Sequence, residues 1–166
     1  MDQIDCLLVG PGLGREPETL RAVDRLLRDC TLPMVVDADA LRAFHADSVP
    51  YANGKMVLTP HRREFERMDG NKLPEELLRR KERVLSLATK LGCTILLKGE
   101  VDIISDGKRV KLNHTGNAAM TSGGTGDVLA GVVAGLLSKG LTPFDAARLG
   151  ALLNGSAGDF AFRKYS

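Results

Sequence analysis

Four short apolar runs, each cut off by a glycine, proline or charged motif, restrict the fold of this chain more than any other feature. Cys6-Leu7-Leu8-Val9 stops at Gly10-Pro11-Gly12-Leu13-Gly14, and Met34-Val35-Val36 stops at Asp37-Ala38-Asp39. Met56-Val57-Leu58 ends in Thr59-Pro60-His61, and Thr94 to Leu97 ends in Lys98-Gly99. Runs this short, bounded by turn residues, read as buried strands. Helical patterns lie between them. Pro17 to Cys30 spaces Leu20, Val23, Leu26 and Leu27 by threes and fours, and Leu41 to Phe44 is a short helix followed by a connecting loop through Gly54. Pro74 to Leu91 is a charged amphipathic helix closed by Gly92. The alternation predicts an α/β architecture around a mostly parallel, doubly wound sheet. Asp102 to Ser105 and Lys108 to Leu112 flank Asp106-Gly107, a two-residue hairpin signal with positive φ allowed at both positions. The sheet therefore gains an antiparallel hairpin on its C-terminal side. Ligands of such sheets sit beyond the carboxyl ends of the strands, and all four motifs fall at such ends.

Gly123-Gly124-Thr125-Gly126-Asp127 carries the strongest chemical signal. The next segment, Val128 to Ser138, mixes Ala130, Gly131, Ala134 and Gly135 with large apolar residues, which predicts a helix buried all round and open to close approach by a neighbour. The GGTGD turn thus supplies the unpaired N–H donors of a helix start. Glycines let that backbone approach a ligand, and the helix dipole favours an anion there. Asp127 stands where it can take a proton from a hydroxyl nucleophile during phosphoryl transfer. A plain glycine turn with an Asp cap is the competing reading. Thr142-Pro143-Phe144-Asp145 then opens a last helix, to about Phe162, with Thr as cap and Pro at the first position.

The other candidates are weaker alone. GPGLG lacks the third glycine of the dinucleotide fingerprint at its spacing, and no P-loop pattern occurs. A tight strand-to-helix turn explains GPGLG equally well. Lys98 can neutralise a nucleotide phosphate or simply be solvated. His61 can hydrogen-bond a polar substrate. Asp37 and Asp39 point to opposite sides of their strand and do not form a carboxylate pair; one can hold Mg²⁺ through water or cap the helix at Leu41. His45, His114 and the basic helix from Glu75 to Lys90 read as surface. Net charge is +2 without a basic block, which argues against nucleic acid as a partner, and no apolar run reaches the ~20 residues of a membrane span. Three scattered cysteines make neither a zinc site nor a disulfide framework; Cys6 and Cys93 read as core thiols in a reducing cytoplasm.

Taken together, Val9 to Gly14, Asp37 to Leu41, Leu58 to His61, Leu97 to Gly99 and Asn117 to Gly131 occur in an order that resembles the ADP/ATP-dependent NAD(P)H-hydrate dehydratases, enzymes of the ribokinase-like fold. The resemblance covers nearly the whole chain. It implies a Mg²⁺-dependent enzyme that uses ADP or ATP to repair hydrated NADH or NADPH, by phosphoryl transfer to the ring hydroxyl and loss of phosphate. It implies Asp127 as the base that meets that hydroxyl, Gly124, Thr125 and Gly126 as the cradle of the transferring group, and Gly126 as a nucleotide contact. Lys98, Gly99, Glu100, Val101 and Asp102 would line the nucleotide site; Gly12, Gly14, His61 and Asn117 would join Asp127 around the hydrated dinucleotide. No residue is assigned as a direct metal ligand. A homo-oligomer is implied as well.

The sequence departs from the family in three places. His-Pro-Gly-Glu becomes His61-Arg62-Arg63-Glu64, and Lys-Gly-x-x-Thr becomes Lys98-Gly99-Glu100-Val101-Asp102, which puts an acid where it would repel a nucleotide. The chain is also shorter than family domains, mainly before the GPGLG strand, so it is expected to lack N-terminal strands of the single full domain, as a fragment or a reduced member. Two other functions fit the same motifs: a kinase of a small hydroxylated metabolite, as in thiazole or pyridoxine kinases, and a noncatalytic nucleotide-binding or assembly module.

Overall fold

The computed structural model describes residues 4–44 and 54–165; His45 and most of the loop leading to Gly54 lie outside the described residues. Among those described, six strands form one sheet: β1 Leu7–Val9, β2 Met34–Val36, β3 Met56–Leu58, β4 Thr94–Leu97, β5 Asp102–Ser105 and β6 Val110–Asn113. They pair in chain order. β1 to β4 are parallel, while β5 is antiparallel to both β4 and β6. The helices are α1 Pro17–Asp29, α2 Arg62–Asp69, α3 Leu77–Leu91, α4 Thr125–Ser138 and α5 Pro143–Tyr165, with short 3-10 helices at Ala38–Ala43 and Ala118–Met120.

Side-chain alternation sorts the core into two layers. Met34, Val36, Met56, Leu58, Ile95 and Leu97 pack on the side of Leu27 in α1, Phe65 and Met68 in α2, and Leu87 and Leu91 in α3. Val35, Val57, Leu96 and Ile104 face the other way, onto Leu129 and Val133 of α4 and Phe144 and Ala147 of α5. Strands covered on both faces need apolar residues at every position, which is why the runs do not alternate in polarity. Helices cover both faces, as expected, while the strand order advances from β1 to β6 without reversal. The C-terminal pair α4–α5 therefore supplies one entire layer. No helix among the described residues is long and apolar enough to cross a membrane.

Several local expectations are corrected. The segment after His61 is a separate helix, α2, and α3 begins only at Leu77. The hairpin loop spans Asp106 to Arg109, since Ser105 pairs with Val110. Only Gly107 has positive φ; Asp106 instead accepts hydrogen bonds from the amides of Lys108 and Arg109. α4 is not buried all round: Val128 is 59% exposed, and nothing lies within 4 Å of a Cβ built at Gly131 or Gly135. Close approach is made from α5, where a Cβ at Gly150 would fall 2.6 Å from Val133 Cγ2. Thr142 does cap α5, accepting from the Asp145 amide at 3.2 Å. Cys93 is a core thiol as read, pushed up to about 12 by burial, and Cys6 is half-buried.

These packing differences separate glycines that look alike in sequence. A Cβ at Gly155 would sit 2.2 Å from Thr115 Oγ1, with the Thr115 backbone behind it. Gly155→Ala should lower stability by about 1–3 kcal/mol through overpacking. Gly131→Ala, on the open face of α4, should raise it by about 0.5–1 kcal/mol. Denaturant midpoints of the two variants check both signs; a loss at Gly131 equal to that at Gly155 would contradict the packing described.

Candidate active site at the strand ends

The exits of β1 to β4 are tied laterally. Gly10 has φ 134°, and a Cβ there would lie 1.7 Å from the carbonyl oxygen of Asp37. Only glycine allows the β1 exit to lie this close to the end of β2. The Asp37 amide donates to Val9 O at 3.0 Å and the Thr59 amide to Val36 O at 3.1 Å. The Lys98 amide donates to Pro60 O at 2.8 Å, and His61 and Lys98 form an isolated parallel bridge. The four motifs therefore share one edge. Gly12 and Gly14 both take positive φ, with open space around them.

The two acids after β2 diverge, as expected, but neither caps the following helix by its side chain. Asp37 is buried, and its Oδ1 accepts from Lys98 Nζ at 2.8 Å. Lys98 is thus paired and largely buried rather than solvated. Asp39 accepts from Arg15 Nε at 2.9 Å and lies 3.9 Å from Arg42 Nε. Nearby, Arg67 has buried Nε and Nη2 atoms with no hydrogen-bond partner among the described residues. Burial, then the Arg42 charge, pulls its pKa below the ordinary arginine value. This flank of the edge therefore carries surplus positive charge.

His61 is the N-cap of α2. Its Nδ1 accepts from the amides of Arg63 and Glu64, and its own amide donates to Glu64 Oε2 at 2.8 Å. This reciprocal cap is the reason Glu64 stands three residues on, a spacing visible in His61-Arg62-Arg63-Glu64 that would have revealed α2. Because Nδ1 is used as an acceptor, the proton of the neutral ring sits on Nε2, on a half-exposed side chain.

α4 starts within the GGTGD sequence. Its N-cap Gly124 adopts φ 92° and offers no side chain, and the first turn holds Thr125, Gly126 and Asp127. Thr125 Oγ1 donates back to Ser122 O at 3.1 Å. Among the described residues, no protein acceptor takes the amides of Gly126 and Asp127, and the exposed Asp127 carboxylate has no partner. A Cβ at Gly126 would lie 3.4 Å from Lys98 Nζ, so the helix head meets the end of β4. Free amides, a helix dipole and a lysine form a site for an anion beside an unengaged carboxylate.

Asn117 is placed differently from its neighbours. Its Oδ1 caps the Ala118–Met120 turn at the Ala119 amide, and its Nδ2 donates to Asp159 Oδ1 at 2.9 Å. Those bonds from Asn117 and the Gly116 amide hold the Asp159 carboxyl below its ordinary range. Asn117 thereby anchors the segment entering the GGTGD turn on α5. In the 98–102 loop, Glu100 is exposed and Val101 half-buried. Asp102 does not present a bare charge there: Oδ1 accepts from the Gly99 amide and Oδ2 from Asn113 Nδ2. Burial raises the Asp102 pKa, opposed by the bonds from Asn113 and Gly99. The folded chain therefore binds this proton more tightly than the unfolded chain does. Stability should rise as pH falls from the raised value to the ordinary carboxyl value, and stay level above that window. Denaturation of the wild type and Asp102→Asn across the acid range tests this: the wild type should gain on the variant with acidification, and a constant difference would refute it.

The sequence profile of the NAD(P)H-hydrate dehydratase family matches residues 1–166. The bifunctional NAD(P)H-hydrate repair enzyme of Pyrobaculum aerophilum is 47% identical over 162 residues, covering 96% of this chain and 32% of the relative. The same enzyme of Hyperthermus butylicus is 40% identical over 98% of this chain and 31% of its own length. The chain thus spans about a third of these curated relatives. Among solved structures, the ADP/ATP-dependent NAD(P)H-hydrate dehydratase of Bacillus subtilis, co-crystallised with ATP/Mg²⁺ and soaked with CoA, superposes with a TM-score of 0.85 at 33% identity. It is covered over 59% of its length by 98% of this chain. A ribokinase-like protein of Enterococcus faecalis gives a TM-score of 0.80 at 31% identity, over 97% of this chain and 57% of its own. The chain has the ribokinase-like fold and belongs to the NAD(P)H-hydrate dehydratase family.

Proposed function

We propose that this chain carries the catalytic edge of an ADP- or ATP-dependent dehydratase that repairs hydrated NADH or NADPH. One observation carries the reading: the unpaired amides of Gly126 and Asp127 open onto a free carboxylate and an ammonium at the ends of four parallel strands. In this reading Lys98 to Asp102 border the nucleotide, and the Gly124–Gly126 backbone stabilises the phosphoryl group in flight. Asp127 removes the ring hydroxyl's proton as its oxygen takes up phosphorus. The nucleotide, one phosphate shorter, is the leaving group of that transfer. The ring C–O bond then breaks with its electron pair going to phosphate, and loss of a proton from the adjacent ring carbon supplies the pair that forms the C=C bond of the dihydronicotinamide. Gly12, Gly14 and His61 face the dinucleotide; the surplus charge of Arg15, Arg42 and Arg67 suits its phosphates. Asn117 serves through the segment it anchors.

No group of three or more potential metal ligands occurs among the described residues, and Asp37 and Asp39 are engaged by basic side chains. The residues fit a Mg²⁺ brought on the nucleotide's phosphates, where it supplies charge neutralisation. We read residues 1–166 as one ribokinase-like unit, whether or not it works within a longer protein. A homo-oligomer is supported by Leu152, Leu153, Phe160 and Phe162, all exposed on α5, and by a groove of about 600 Å³ between β6 and α5. Cys6 and Cys93, both thiols and neither half of a disulfide, support a reducing cytoplasm.

Incubation with NADH or NADPH hydrate, ADP or ATP, and Mg²⁺ should restore dihydronicotinamide absorbance with release of phosphate. Asp127→Asn should lower the rate by about 10²–10⁴-fold while nucleotide still binds, because only proton removal is lost. Absence of recovery with both nucleotides would refute the activity, full activity of the variant would refute the base, and a stable phosphorylated product would assign the site to a kinase.

A further inference from the structure

Asp37 has no task in the chemistry above, yet the fold holds it with unusual care. Its side chain is 2% exposed, and its partner Lys98 lies 61 residues along the chain. Its backbone is fixed from one side by the Val9 carbonyl and from another by Gly10, where no Cβ could fit. The next residue, Ala38, sits at φ 49°, the left-handed region that is strained for a residue with a Cβ. Such strain persists where the surroundings over-determine it. On the far side of the pair, Lys98 Nζ reaches the Gly126 position in the first turn of α4.

An ammonium at the start of a helix is in the wrong place electrostatically. The helix N-terminus carries partial positive charge and favours anions, not cations. A lysine stem is also flexible and loses rotamer entropy when ordered. Left alone, Lys98 would swing away from α4 toward solvent. A fixed buried carboxylate behind it offsets both effects. It consumes one of three ammonium donors and leaves two for a ligand. The surrounding charges are few: Asp102 interacts with Lys98 from the β5 side, and Asp127 stands in the same turn of α4 as Gly126.

We infer that Asp37 is a positioning residue: through its ion pair it pins the Lys98 ammonium against the head of α4, where the ammonium meets the oxygens of the phosphoryl group being transferred. This rests on the reading of that helix head as the phosphoryl site. The pin concerns where Lys98 points, so its loss should appear in the chemical step more than in nucleotide affinity.

Asp37→Asn keeps the shape and removes the charge. It should lower kcat by about ten-fold or more, with less than about a three-fold change in the Kd for ADP, as fits an interaction strongest in the transition state. Lys98→Met should abolish the effect, so that the double variant is no slower than Lys98→Met alone. Acetylation of Lys98 by acetic anhydride, followed by peptide mass spectrometry, should be slow in the wild type and approach that of exposed Lys111 in Asp37→Asn. Additive losses in the cycle, or equal Lys98 labelling in the two proteins, would overturn the inference. Should Asp37→Asn alone fail to fold, the charge-free double variant compared with Lys98→Met still decides it. If the wild type turns over no hydrate, the proposed activity fails by itself, and the labelling comparison continues to judge the pin.

Discussion

The start of α4 governs this molecule because it leaves backbone donors without protein acceptors at the place where four strands end. Among the described residues, no acceptor takes the amides of Gly126 and Asp127, and Gly124 supplies no capping side chain. Unpaired main-chain donors cost stability unless water or a ligand satisfies them. The rest of the edge is arranged around that opening. Gly10 admits the end of β2 at Asp37, Asp37 holds Lys98, and the Lys98 ammonium comes within 3.4 Å of the place a Cβ on Gly126 would take. Each link is a close approach or an ion pair between residues remote in sequence.

The same chain of contacts explains where the core is spent. α4 buries Leu129, Ala130, Val133 and Leu137 against the sheet, which fixes its axis and hence the direction of its dipole. α5 locks it laterally through Gly150 and holds the incoming segment through Asp159, Asn117 and Gly116. The glycines of the site and those of the helix interface thus do different work. Gly12, Gly14 and Gly124 provide positive φ, whereas Gly150 and Gly155 provide room.

Much of this was legible beforehand. β2, β3 and β4 follow from apolar runs with hard stops, and the shared edge follows from parallel topology. The family could be read from five motifs in order. The missed features have physical reasons. α2 is marked in the sequence only by the His61-to-Glu64 spacing, because its cap is His61, a residue outside the usual Ser, Thr, Asp and Asn set. The hairpin loop is longer than Asp106-Gly107 suggests because the Asp106 side chain accepts from two amides and so lengthens the turn. The partly open face of α4 could not be seen because its composition resembles that of a fully enclosed helix. The Asp37–Lys98 pair joins residues whose neighbourhood arises only after folding, and a single sequence carries no trace of it. Asp102 reads as a misplaced charge in the sequence, whereas in the fold it accepts hydrogen bonds from the Gly99 amide and Asn113 Nδ2.

On the proposed function, the terminal phosphate of an adenine nucleotide sits at the head of α4. A crystal structure of the chain with ADP and Mg²⁺ measures it directly. The β-phosphate is expected within hydrogen-bonding distance of the Gly126 and Asp127 amides, with Lys98 Nζ beside it. A nucleotide bound elsewhere, such as in the groove between β6 and α5, with those amides turned to water, would contradict it.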